Sequence, residues 1–108
     1  DAGVSFVNGT AIQTGAFDNT DRVIGVTDSG SSLTPYNDGL AGTPLSYTRG
    51  ANVLTIDQFN LGSTNENNSP AGWFAARVYG IVGVTRVLTS TEIAHLTTWL
   101  GAKAGLSL

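Results

Sequence analysis

The stretch Arg22-Val23-Ile24-Gly25-Val26-Thr27-Asp28-Ser29-Gly30-Ser31-Ser32-Leu33-Thr34-Pro35-Tyr36-Asn37-Asp38-Gly39-Leu40 decides the fold class. A β-branched run, residues 22–27, ends in a Ser/Gly/Asp turn cluster. A short apolar run, residues 33–36, then ends in Asn37-Asp38-Gly39, which turns the chain back through Leu40. Short β-branched segments between Gly, Asn and Asp clusters are the signature of hairpin-connected strands. The same grammar holds on both sides. Val4-Ser5-Phe6-Val7 precedes Asn8-Gly9, the dipeptide of a type I′ turn. Residues 10–17 alternate loosely, and residues 43–49 alternate through Leu45 and Tyr47. Residues 52–57 place Val53, Thr55 and Asp57 on one face and Leu54 and Ile56 on the other. Turns at this spacing favour an all-β sandwich or barrel over alternating helix and strand.

Residues 63–72, Ser-Thr-Asn-Glu-Asn-Asn-Ser-Pro-Ala-Gly, read as the longest loop, because nothing larger than Ala71 or Pro70 interrupts their polarity. Residues 73–88 read as the strongest strand. Phe74, Ala76, Val78, Val82 and Val84 share one parity, with Gly80 and Gly83 marking a bulge or bend. The period then changes. Thr89-Ser90-Thr91-Glu92 is a capping box, and Ile93, Leu96 and Leu100 follow at helical spacing, with Trp99 beside them. This predicts one amphipathic helix over about 90–103, ended by Gly101 or Gly105, that docks on the sandwich edge or on a neighbouring subunit. The expectation is one domain over residues 1–108, mostly β: an antiparallel β-sandwich with strands between 4 and 88 and one C-terminal α-helix.

Composition narrows the function classes. The chain has 108 residues, 41% of them apolar and 12% charged. That balance belongs to a folded domain whose surface is Thr, Ser, Asn and Gly, a character common in extracellular and virion proteins. The net charge is −3 with five basic residues, scattered along the chain, so no basic stripe exists for nucleic acid or an anionic membrane. Cysteine is absent, which excludes a disulfide framework and thiolate metal sites. No apolar run reaches the roughly 20 residues that span a bilayer as a helix. Asp1-Ala2-Gly3 reads neither as a signal peptide nor as an initiation site, and a processed piece of a longer chain is expected.

The residues offer little for catalysis. The one histidine, His95, follows Glu92 by three positions. A single Glu-x-x-His pair falls short of the two that a helical carboxylate metal site uses, so His95 is expected to face solvent. No serine has a nucleophile-elbow setting. Asp57 and Glu66 could form a glycosidase pair, but nothing fixes their separation. Asp18, Asp21, Asp28 and Asp38 sit in turns, where Asp is favoured for backbone hydrogen bonding alone. Oxygen ligands for calcium occur at Asn37 and Asp38 and at Asn65, Glu66 and Asn67. They lack any fixed ligand spacing, so no cofactor and no metal are expected. Asn8-Gly9-Thr10 and Asn67-Asn68-Ser69 are formal glycosylation sequons.

Binding is the better expectation. Trp73 follows the Asn-rich loop and Tyr36 precedes Asn37-Asp38-Gly39, so aromatic faces lie beside amide and carboxylate groups that hydrogen-bond hydroxyls. The candidate ligand-binding residues are Tyr36, Asn37, Asp38, Asn65, Asn67 and Trp73, for a polysaccharide or cell-surface glycan.

Residues 33–105 carry a resemblance. Tyr36-Asn37-Asp38-Gly39-Leu40, Trp73-Phe74-Ala75-Ala76-Arg77-Val78, Leu88-Thr89-Ser90-Thr91-Glu92-Ile93 and the ending Thr98-Trp99-Leu100-Gly101-Ala102-Lys103-Ala104-Gly105 occur in that order. The pattern resembles the concanavalin A-like lectin/glucanase superfamily in its laminin-G-like form, of the kind found in bacteriophage and prophage tail proteins. Ala76 stands where Gly is common, and Asp38 is inserted in the hairpin motif. The resemblance implies a jelly-roll sandwich and a non-catalytic glycan- or receptor-binding domain of a phage or prophage tail or bacterial surface protein. The alternating acids of glucanase members are missing, which disfavours a glycoside hydrolase fragment. Such domains usually need more strands than 108 residues supply. Either this copy is compact, or strands of another chain complete it. Homo-oligomerisation would then cover its edges, and a purely structural oligomerisation module is the alternative function.

Overall fold

A computed structural model of the chain describes residues 4–7, 10–13, 20–48, 64–66, 69–71 and 77–108. It is a small, mostly β arrangement of antiparallel strands with one C-terminal helix. The strands are β1 (Val4–Val7), β2 (Thr10–Gln13), β3 (Ile24–Asp28), β4 (Ser32–Asn37), β5 (Leu40–Ala41), β6 (Leu45–Ser46), β7 (Thr64–Glu66) and β8 (Ser69–Ala71). The helix α1 spans Ser90–Lys103. Among the described residues β1–β2 and β7–β8 are two-stranded sheets, and β3-β4-β5 with β6 form an open four-stranded one.

The central hairpins follow the turn chemistry. β3 pairs with β4 from Ile24↔Asn37 to Asp28↔Leu33. At the closing turn Asp28 Oδ1 accepts from the Gly30 amide at 2.7 Å, and Ser29 Oγ accepts from the Ser32 amide at 3.0 Å. Gly30 supplies the left-handed φ of 89° there. β4 and β5 meet at Asn37↔Leu40, leaving Asp38 and Gly39 as a two-residue loop. Their φ angles are 50° and 82°, both positive as a type I′ turn requires. β1 and β2 likewise close at Val7↔Thr10, the register expected from Asn8-Gly9, although those two residues lie outside the described ones.

Proline in a central strand needs an explanation, because it cannot donate to the ladder. Pro35 faces Val26 of β3 across the pair, and its carbonyl accepts from the Gly42 amide at 2.8 Å on the other edge. In an extended residue N and C=O point to the same edge. The missing N–H of Pro35 therefore faces the place where β5 has ended and β6 has not begun. β6 resumes the pairing at Leu33↔Leu45 and Ser32↔Ser46. Leu33 and Pro35 share one face of β4 and are buried, Leu33 to 4% exposure, while Thr34 and Tyr36 share the other.

Two segments differ from the sequence reading. Residues 64–71, expected within a long loop, form the β7–β8 hairpin with register Thr64↔Ala71, Asn65↔Pro70 and Glu66↔Ser69. Polarity does not prevent main-chain pairing across a two-residue connection. In a two-stranded sheet both strands are edges, where Pro70 is tolerated. Of the expected strand 73–88, residues 73–76 lie outside the described ones, and residues 77–88 join no ladder among the described residues. Gly80 lies against α1: a Cβ there would meet Leu100 Cδ2 at 3.2 Å and Lys103 Cδ at 3.3 Å. Glycine is used here for close helix approach.

The helix has the expected cap. The Thr89 hydroxyl accepts from the Glu92 amide at 3.3 Å, and Glu92 Oε2 accepts from the Thr89 amide at 2.8 Å. At the other end Gly105, with φ 78°, takes the left-handed position. The Leu106 amide donates to Gly101 O at 2.9 Å and the Gly105 amide to Ala102 O at 3.2 Å. This 6→1 and 5→2 pair is a Schellman motif, so Gly105 and not Gly101 ends the helix. Gly101 is buried under the returning tail, where a Cβ would meet Leu108 Cδ1 at 2.9 Å.

Candidate binding cleft

A cleft of about 640 Å³ lies beside β3. One wall is residues 23–28 and the other is residues 80–86. Tyr36 and Gly39 contribute from β4 and its turn, and Ile93, Leu96, Thr97 and Leu100 from α1. The helix also approaches the β4–β5 turn closely. A Cβ on Gly39 would stand 3.3 Å from Thr97 Cγ2, and Thr97 is buried to 7% exposure.

The two walls are tied at one end, where the Tyr79 hydroxyl donates to Asp21 Oδ2 at 3.4 Å. Both segments line the cleft along their lengths. At the far end of the second wall Arg86 donates to both oxygens of Glu92, Nη1 to Oε2 at 2.9 Å and Nη2 to Oε1 at 2.5 Å. The Arg86 guanidinium, with the Thr89 amide and hydroxyl behind it, holds the Glu92 carboxyl at about 2, well below its usual 4.5. The same contact raises Arg86 further. One forked pair thus couples the cleft wall to the helix cap.

The walls are largely aliphatic. Ile24 (52% exposed), Val26, Ile81, Val82 and Val84 all remain exposed. Among the described residues, Asp28 and Arg86 are the charges in the lining.

The expected site residues divide. Tyr36 reaches the cleft. Asn37 and Asp38, two and three positions from Pro35, are turned into the fold. Asp38 Oδ1 accepts from the Val23 amide at 2.8 Å and its Oδ2 pairs with Arg22 Nη1 at 3.5 Å, so it fastens the start of β3. Asn37 Oδ1 is buried and accepts no hydrogen bond among the described residues. Asn65 lies in β7, opposite Pro70. Asn67 and Trp73 lie outside the described residues, as do Asp57 and the strand expected over 52–57. His95 is exposed, and Glu92, three positions before it, is engaged by Arg86 and Thr89. No group of three or more His, Cys, Asp or Glu side chains converges among the described residues. No described helix is long and apolar enough to cross a membrane.

Sequence reading missed the cleft's aliphatic walls as a site. The signal was present: residues 78–84 carry apolar groups on both parities, more than one buried face requires.

No family model matches this sequence, and no curated protein matches it. Among solved structures, the chain is similar to residues 221–444 of an S-layer domain-containing protein from Clostridium thermocellum. The TM-score is 0.62 at 17% identity, over 82% of this chain and 45% of the other. The likeness is one of fold. This chain therefore spans under half of that solved fragment.

Proposed function

We propose that this chain is a non-catalytic binding domain of an extracellular or virion-associated assembly, and that the cleft beside β3 receives an extended segment of a neighbouring chain. The observation that carries this is the pair of walls. Among the described residues β3 is an edge strand, and residues 80–86, which join no ladder there, line the same cleft. Its aliphatic walls would gain about 25 cal/mol per Å² of apolar surface covered, and exposed patches of this kind mark interaction sites. Strand addition would supply main-chain hydrogen bonds along the open edge of β3.

Other features support parts of this reading. The acids of the described core have structural work: Asp28 accepts from Gly30 and from the Tyr47 hydroxyl, Asp38 from Val23, and Glu92 from Arg86 and Thr89. That favours binding over hydrolysis. The exposed Ile24 and Val26 favour a second sheet or a partner over β3, and hence the sandwich of a concanavalin A-like, laminin-G-like domain and the phage-tail setting that goes with it. The S-layer name of the similar structure favours a cell-surface location.

A glycan ligand is the second reading, favoured by Tyr36 in the cleft and by a surface of Thr, Ser, Asn and Gly. One experiment separates the two. Light scattering after size exclusion, across a concentration series, is run on the chain and on Val26→Lys, beside a glycan array with Tyr36→Ala. Self-association lost in Val26→Lys supports the strand-accepting cleft. A monodisperse monomer whose β3 amides resist hydrogen exchange shows a cleft filled from within and sinks that reading. An array signal lost in Tyr36→Ala supports the glycan instead.

A further inference from the structure

We draw no further inference here: the strongest candidate outside the cleft, the outward face of α1 where Lys103 Nζ lies 4.3 Å from the ring centre of the 53% exposed Trp99 with His95 one turn before, is an unpartnered helix face, and nothing in the structure shows what covers it.

Discussion

Replacing Gly39 by alanine tests how the helix is seated on the sheet. Two costs add at this position. The backbone sits at φ 82°, where an L side chain costs about 1–2 kcal/mol. The new Cβ would also meet Thr97 Cγ2 at 3.3 Å, Oγ1 at 3.4 Å and Cβ at 3.5 Å. Thr97 cannot swing aside easily, being buried and branched at Cβ. Crowding of this kind costs roughly 1–3 kcal/mol. Gly39→Ala is therefore expected to lose about 2–5 kcal/mol, a large share of the roughly 5–15 kcal/mol of a typical domain. Urea unfolding followed by circular dichroism reads this directly. The double variant Gly39→Ala, Thr97→Ala isolates the contact, since it removes the two nearer atoms and leaves the backbone cost. Its loss should fall short of the sum of the single losses by about 1 kcal/mol. A single-variant loss below about 0.5 kcal/mol, or strict additivity in the cycle, would refute the close seating of α1 on the β4–β5 turn.

Other outcomes follow from the same contacts. Glu92 titrates low in the fold, so its stabilising contribution is fully present above about pH 4.5 and is lost as pH falls toward 2. Carboxyl NMR should show the low midpoint, and Arg86→Gln should move it up toward the ordinary value; no movement would remove Arg86 as the main cause. Thr89→Ala removes the cap and should cost about 0.5–2 kcal/mol by chemical denaturation. Asp38→Ala strands the Val23 amide, so hydrogen exchange there should accelerate with a loss of about 1–3 kcal/mol. Gly105→Ala meets no atom within 4 Å yet should cost about 1–2 kcal/mol from its positive φ alone. Gly83→Ala, equally uncrowded and without that φ, should change stability by less than about 1 kcal/mol, and a thermal melt compares the pair.

The local elements were legible because their chemistry is local. Asn37-Asp38-Gly39 can satisfy two positive φ angles cheaply, and the Thr89–Glu92 box needs no information beyond four residues. That residues 77–88 join no ladder among the described residues was not legible. Alternation records which side chains avoid water, but not whether a neighbouring strand is there to pair. The polar hairpin at 64–71 failed for the opposite reason, since main-chain pairing leaves no mark in hydropathy. Tyr36 lines the cleft, while Asp38 turns to the start of β3. A turn aspartate can face a ligand or its own backbone, and only the position of the Val23 amide, fifteen residues away, decides between them.

The sheet around β4 has a consequence for the order of assembly. β3, β4, β5 and β6 follow one another within residues 24–46, and each pairs across a short connection, so this unit closes through contacts of low sequence separation. The helix begins more than forty residues later and must find the Gly39 turn across a large sequence separation, with its entropic cost. The hairpins should therefore form in an early kinetic phase and α1 should lock on in a later one. Thr97 variants would then mainly speed unfolding, while substitutions at the buried Leu33 would slow folding.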